Sequence, residues 1–65
     1  MDKEELFQQA LALVESGESA SLSAAIRHVA MVELSKEDGR NTREAARTLA
    51  NEIWAVARAA GYEVA

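Results

Sequence analysis

One stretch of the chain, from Asn41 to Gly61, carries a start signal, a stop signal and a helical repeat. Asn41 followed three residues later by Glu44 is the pattern of a capping box, in which both side chains accept hydrogen bonds from free amides of the first turn. Gly61 readily adopts the left-handed conformation that ends many helices, and Tyr62 after it can fold back onto the last turn. The pattern predicts a helix over about residues 42–60.

The two sides of this predicted helix differ in character. Apolar residues recur every three or four positions on one side, as expected of a face that packs on a core. A stripe of arginine, asparagine and tryptophan recurs at the same spacing on the opposite side, and we interpret it as an outward face. The core stripe comprises Ala45, Ala46, Leu49, Ile53, Val56, Ala57 and Ala60, and the outward stripe comprises Arg43, Arg47, Asn51, Trp54 and Arg58.

A first helix is predicted over about residues 3–16. Asp2 and Glu5 repeat the capping pattern, and Gly17 supplies the stop. Between these signals lies a broad apolar face at helical spacing. Its members are Leu6, Phe7, Ala10, Leu11, Leu13 and Val14.

A second helix is predicted over about residues 20–37. Ser19 and Ser21 are both suitable caps, and the sequence does not choose between them. The pair Asp38-Gly39 is a turn signal that separates this helix from the next. The residues expected to face inward are Leu22, Ala25, Ile26, Val29, Ala30 and Val32.

Three amphipathic helices joined by short connections favour antiparallel neighbours. Two helices alone would leave part of these apolar faces uncovered, so all three must pack together. We therefore predict an all-α fold, an up-down-up antiparallel three-helix bundle that spans residues 1–65 as one domain. The handedness of the bundle stays open. A chain of this length buries only about 60% of its unfolded surface, so its stability margin is thin.

The composition argues against enzymatic chemistry. The chain has no cysteine, which excludes a disulfide framework, a thiolate nucleophile and a thiolate metal site. His28, the single histidine, has no acid three or four residues away to orient it as a base or ligand. No phosphate-binding loop and no metal-ligand spacing occurs. We expect no enzymatic activity, no metal and no cofactor.

The net charge of −4 argues against general nucleic-acid binding. The charge is uneven, because residues 1–38 hold eight acidic and three basic residues and residues 39–65 hold three acidic and four basic residues. This asymmetry is compatible with attraction between helices as well as with a partner site. No apolar run is long enough for a membrane span or a secretory signal, so we expect a soluble cytoplasmic or recombinant protein without membrane contact.

Trp54 and its arginine neighbours each allow a structural and a functional interpretation. Trp54 lies away from the centre of the inward stripe, where its ring could cover the core edge or anchor a partner. Arg58, one turn further on, could stack over the ring in either case. The arginines could simply be a solvated face, although a surface tuned only for solubility tends to mix charges of both signs.

The second helix has two features of this kind. Met31 and Leu34 share a sector with Arg27, so they could extend a contact surface, or Leu34 could close the end of the bundle. Glu33 lies near the centre of the apolar face. In an antiparallel bundle it would meet the start of the first helix, so we predict that it pairs with Lys3 or with the free amides there.

Nearly every local signal agrees with one fold. In this agreement the chain resembles computationally designed three-helix miniproteins. Many such proteins are made as binders that present one or two helices to a target, so the resemblance implies a binding use. The chain departs from the pattern in its two lysines, since designed surfaces are often lysine-rich. The signals are Asp2-x-x-Glu5, Asn41-x-x-Glu44, the helix-ending Gly17, Gly39 and Gly61, the loop over residues 36–41, and alanine at other positions.

We expect a non-enzymatic protein-binding module whose partner is a protein with an acidic or mixed surface. Its contact face would be the outward stripe of the third helix, extended by the second helix. Arginine and tryptophan are enriched in binding hot spots, and arginine pairs with carboxylates through two hydrogen bonds. The candidate contact residues are Trp54, Arg47, Arg58, Asn51, Arg43, Met31, Leu34 and Arg27.

Three alternatives remain open at this point. The chain could be a bundle, designed or natural, that folds without any biochemical activity. It could self-associate through Met31, Leu34 and Trp54. Less favoured is a helix-turn-helix DNA binder that reads bases with its third helix, because the net charge is acidic and lysines for phosphate contacts are scarce.

Overall fold

The computed structural model describes residues 2–36 and 42–62, which form three α-helices. Helix α1 spans Lys3–Glu15, α2 spans Leu22–Ser35 and α3 spans Arg43–Ala59. Each helix contacts both of the others. The predicted all-α three-helix bundle is therefore confirmed, and the helix ends differ from the predicted ones by at most two residues.

Apolar side chains from all three helices form one core. Alanines occupy many of the contact positions, so the helix axes can approach closely, while Ile26 and Ile53 are the largest fully buried side chains. Within the described residues no polar or charged side chain is buried. The core consists of Leu6, Phe7, Ala10, Ala25, Ile26, Val29, Ala30, Leu34, Leu49, Ile53 and Ala57.

The first two helices begin at side-chain caps. The Asp2 carboxylate accepts a hydrogen bond from the Glu4 amide at 3.0 Å, as the sequence predicts. Of the two serines that could cap α2, the structure selects Ser21, whose hydroxyl accepts from the Ala24 amide at 3.2 Å. Each cap satisfies one of the amides that a helix start leaves without a partner.

The cap of helix α3 lies one residue later than predicted. The Thr42 hydroxyl accepts a hydrogen bond from the Ala45 amide at 3.1 Å, and the Thr42 backbone is extended, as a cap requires. Asn41, the predicted cap, lies outside the described residues. Because Thr42 is the cap, Ala45 rather than Glu44 holds the third position after it, so the predicted capping box over residues 41–44 is wrong. Glu44 lies in the first turn, where the helix dipole favours its charge.

Helix α3 ends in a Schellman motif. Gly61 has a φ of +97°, a left-handed conformation that strains any residue with a Cβ atom. Its amide donates to the Arg58 carbonyl at 3.0 Å, and the Tyr62 amide donates to the Ala57 carbonyl at 3.0 Å. The predicted glycine stop is therefore confirmed.

Two contacts fix how α1 lies against α3. The Lys3 ammonium pairs with the Glu52 carboxylate, near the middle of α3. One turn further along α1, the Phe7 ring meets the Tyr62 ring edge to face, with centroids 5.4 Å apart. Both contacts advance in the same direction along the two helices, so the first half of α1 lies along the second half of α3.

This arrangement corrects the predicted partner of Glu33. Glu33 pairs instead with Lys36, one turn away on its own helix, at 3.5 Å. The prediction placed the start of α1 at the level of the α2 end, whereas Lys3 reaches Glu52 of α3. The displacement of α1 along α3 therefore separates the two predicted partners.

The structure overturns one further prediction for α2 and decides between two interpretations of another residue. Val32 was expected to face inward but is 45% exposed, whereas Leu34, a candidate either for partner contact or for closing the bundle end, is only 6% exposed. Leu34 lies one helical turn after the buried Ala30 and so shares its face, while Val32 lies over half a turn from Ala30. Leu34 therefore closes the end of the core and offers no surface to a partner.

We expect Leu34→Ala to lower the free energy of unfolding by about 2–5 kcal/mol, because it leaves a cavity in a small core. The control is Val32→Ala, which removes a half-exposed side chain and should change stability by less than about 1 kcal/mol. Urea unfolding followed by far-UV circular dichroism measures both. Equal losses in the two variants would contradict this assignment of the faces.

Capping of α3 by Thr42 also has a measurable consequence. Thr42→Ala should destabilise the protein by about 1 kcal/mol, because the Ala45 amide loses its acceptor. Thr48 is exposed in the middle of α3 and offers a matched control. Thr48→Ala should be neutral or slightly stabilising, since alanine is the better helix former. A neutral Thr42→Ala in the same thermal and urea unfolding measurements would rule out Thr42 as an energetically significant cap.

Candidate functional site

An open groove of about 920 Å³ lies between α2 and α3. We call it the α2–α3 groove. Residues of both helices line it, together with the cap residue of α3. The lining residues are Ser23, Arg27 and Met31 from the α2 side, and Thr42, Arg43, Ala46, Arg47, Ala50, Asn51 and Trp54 from the α3 side.

Helical periodicity explains why these residues share one groove. Residues four positions apart lie one above the other on a helix face. On α2 one such row lines the groove, and on α3 two adjacent rows do so. The α3 rows extend over roughly 17 Å at 1.5 Å per residue. The rows are Ser23, Arg27 and Met31; Arg43, Arg47 and Asn51; and Ala46, Ala50 and Trp54.

The apolar part of the groove is continuous with the core. Ala46, Ala50 and Trp54 are half-buried and pack against the core cluster while also lining the groove. Met31 on α2 is 48% exposed. The Trp54 ring therefore covers the edge of the core and contributes to the groove surface, so its two sequence-based interpretations are compatible with each other.

The charge of the groove is opposite in sign to that of the whole chain. Three exposed arginines line it, Arg27 on α2 and Arg43 and Arg47 on α3, and no carboxylate among the described residues does so. The net charge of the chain is −4. The described lining of the groove is therefore positive on an acidic protein, and its field attracts carboxylates.

None of these three arginines takes part in an ion pair with another described residue. Lys3 pairs with Glu52 between α1 and α3, and Lys36 pairs with Glu33 within α2. The sequence predicted attraction between an acidic first part and a basic last part of the chain. The ion pair that joins two helices within residues 2–36 and 42–62 has the opposite polarity, because its base lies on α1 and its acid on α3. The Lys3–Glu52 pair is solvent-exposed and so contributes at most about 1 kcal/mol to stability, whereas Glu33 of the second pair is partly covered.

The structure brings together most of the predicted contact residues. Two of them fall outside the groove: Arg58 is exposed on α3 but does not line it, and Leu34 is buried in the core. Sequence reasoning missed Ser23, although its spacing of four from Arg27 indicates the same row. It also assigned Ala46 entirely to the core. The predicted residues that line the groove are Arg27, Met31, Arg43, Arg47, Asn51 and Trp54.

No group of three or more histidine, cysteine, aspartate or glutamate residues among residues 2–36 and 42–62 has the arrangement of a metal site. His28 is exposed on α2. None of the three described helices combines the length and the apolar character that a membrane span needs.

Comparison of the chain with protein-family models, with curated proteins and with solved structures returned no match.

The charge of the groove can be tested through its own fluorophore, since Trp54 is the single tryptophan of the chain. With each Stern–Volmer slope divided by that of N-acetyltryptophanamide with the same ion, iodide should quench Trp54 fluorescence more efficiently than caesium, because the arginines concentrate anions near the ring. The net charge of −4 alone predicts the opposite order, so the comparison separates the local field from the overall charge. Stern–Volmer slopes measured at matched ionic strength give the result.

Two controls accompany this measurement. Raising the ionic strength to about 1 M shortens the screening length to about 3 Å and should remove most of the difference between the two ions. Arg47→Glu should reduce the preference for iodide. A preference for caesium in the unmodified protein would show that the arginines do not set the potential at the indole ring.

Proposed function

We propose that this protein is a non-enzymatic binding module that presents the α2–α3 groove to a protein partner. The observation that carries the proposal is that Arg27, Arg43 and Arg47 line one groove. The side chains of Trp54 and Met31 line the same groove. Arginine, tryptophan and methionine are enriched at protein interfaces relative to other surfaces.

Trp54 is suited to act as a preorganised anchor. Its ring already packs against the core, so a partner would not need to immobilise a free side chain on binding. An aromatic side chain in such a position supplies a large contact area at low entropic cost. The floor residues Ala46 and Ala50 leave room for the side chains of a partner.

The arginines support the proposal through their number and their placement. Two lie one helical turn apart on α3 and the third lies on the other wall of the groove. Each guanidinium can pair with a carboxylate through two parallel hydrogen bonds. The resemblance to designed miniproteins, many of which are binders, is consistent with this use.

The main rival is a bundle that folds but binds nothing, for which charge changes on α3 alter only solubility. A peptide-display selection with the unmodified protein as bait separates the two. We expect selected peptides to lose at least about tenfold in affinity when Arg47 is replaced by glutamate, because the new carboxylate repels the acidic groups that the arginine attracted. Binding is measured by biolayer interferometry.

Arg58→Glu is the matched control, because it makes the same charge change on an exposed arginine of α3 outside the groove. It should leave the affinity within about twofold, as is usual for substitutions away from an interface core. Circular dichroism verifies that both variants keep their helices. A selection that yields no peptide sensitive to Arg47→Glu would falsify the proposal.

A further inference from the structure

We infer that the partner segment in the α2–α3 groove is an acidic amphipathic α-helix, which lies along the groove as a fourth helix of the bundle. The inference rests on the proposed binding function and names the chemistry of its partner. Four properties of the groove support it: its shape, the state of its backbone groups, its charges and its apolar contacts.

The shape of the groove fits a helix. Its walls are two neighbouring helices, and its α3 side carries Ala46 and Ala50 one turn apart, both half-buried. Small residues at these positions allow a further helix axis to approach within the usual 8–10 Å or so. The rows of α3 extend over roughly 17 Å, which corresponds to about three turns of a helix.

The backbone groups of the walls favour a helical partner over an extended one. Inside α2 and α3 the amides and carbonyls are committed to helical hydrogen bonds. A segment that lies over the apolar floor must therefore satisfy its own backbone groups, which a helix does internally. Extended peptides commonly bind by adding to a sheet edge, and the described residues contain no strand.

The arginines define where the carboxylates of this helix must lie. Arg43 and Arg47 are one turn apart on α3, so they match two acidic residues four positions apart on the partner. Arg27, on the opposite wall, requires a carboxylate on the other side of the partner helix. The partner therefore carries acidic residues on both sides of its apolar stripe.

The overall charge of the protein adds selectivity to this arrangement. With a net charge of −4, the protein repels an acidic helix from most of its surface, whereas the groove attracts it. Met31 and Trp54 then provide the apolar contacts for the stripe of the partner. A thioether side chain adapts its shape readily, so Met31 can accommodate different apolar residues.

A second copy of the chain fits the groove less well. Its α1 is acidic, but the apolar residues Leu6, Phe7 and Ala10 of that helix are buried in its own core. The face of α1 that remains exposed offers carboxylates without an apolar stripe for Trp54 and Met31. Its exposed residues include Glu4, Glu5, Gln8, Gln9, Ala12 and Glu15.

Three synthetic peptides of about 14 residues, just over the groove length, test the inference. The first has a leucine stripe flanked by glutamates spaced four apart, the second replaces every glutamate by lysine, and the third is a scrambled isomer of the first. None contains tryptophan, so the emission of Trp54 reports binding, and circular dichroism reports induced helix. The glutamate peptide should bind at least about tenfold more tightly than either of the others.

Charge reversal identifies the groove as the binding surface. Arg47→Glu should lower the affinity for the glutamate peptide by at least about tenfold and raise the affinity for the lysine peptide. Arg58→Glu should change either affinity by less than about twofold. No binding of the glutamate peptide at concentrations up to about 1 mM overturns the inference. Equal binding of the scrambled isomer also overturns it, because charge alone would then be sufficient.

Other occupants would give distinct results. A concentration-dependent dimer in analytical ultracentrifugation that Arg47→Glu abolishes would assign the groove to a second copy. Salt-sensitive binding of duplex DNA that Arg47→Glu abolishes would assign it to nucleic acid, and either result overturns the inference. If display selection yields groove-dependent peptides that are basic or extended, the binding function stands and the acidic helix is wrong. If it yields none, both proposals fail.

Discussion

Alanine at the contacts between helices is the constraint on which the rest of this structure depends. Ala10, Ala25, Ala30 and Ala57 are fully buried, so the helix backbones lie close together. Close approach supplies many van der Waals contacts, but each alanine removes little apolar surface from water. The few large core residues therefore carry much of the hydrophobic stabilisation, and the caps at the helix ends matter more than they would in a larger domain.

The use of alanine at helix contacts also creates the candidate site. On the outer side of α3, Ala46 and Ala50 again occupy positions where larger side chains would fill the space between two helices. Because they are small, α2 and α3 are separated at their surface by a groove rather than by a closed seam. The arginines line it from both sides, and the apolar stem of an arginine can cover apolar surface while its charged group stays in water. The groove is thus an extension of the core surface that no further helix of the described chain covers.

The sequence predicted the three helices, the glycine stop at Gly61 and most of the groove residues, since these follow from local signals and helical spacing. It failed where the answer depends on how helices are displaced against one another. Glu33 and Lys3 were assigned to each other from topology alone, but the displacement of α1 along α3 brings Lys3 to Glu52. Val32 was placed in the core and Leu34 was left open between contact and core, because both lie near the boundary of the apolar face of α2.

The aromatic contact between Phe7 and Tyr62 joins residues near opposite ends of the chain. Such a contact requires closure of almost the entire chain, and contacts of large sequence separation slow folding. The walls of the groove, in contrast, are consecutive helices whose contacts are local in sequence. The α2–α3 contacts that shape the groove therefore close a much shorter stretch of chain than the contact between Phe7 and Tyr62, and their loop-closure entropy is correspondingly smaller.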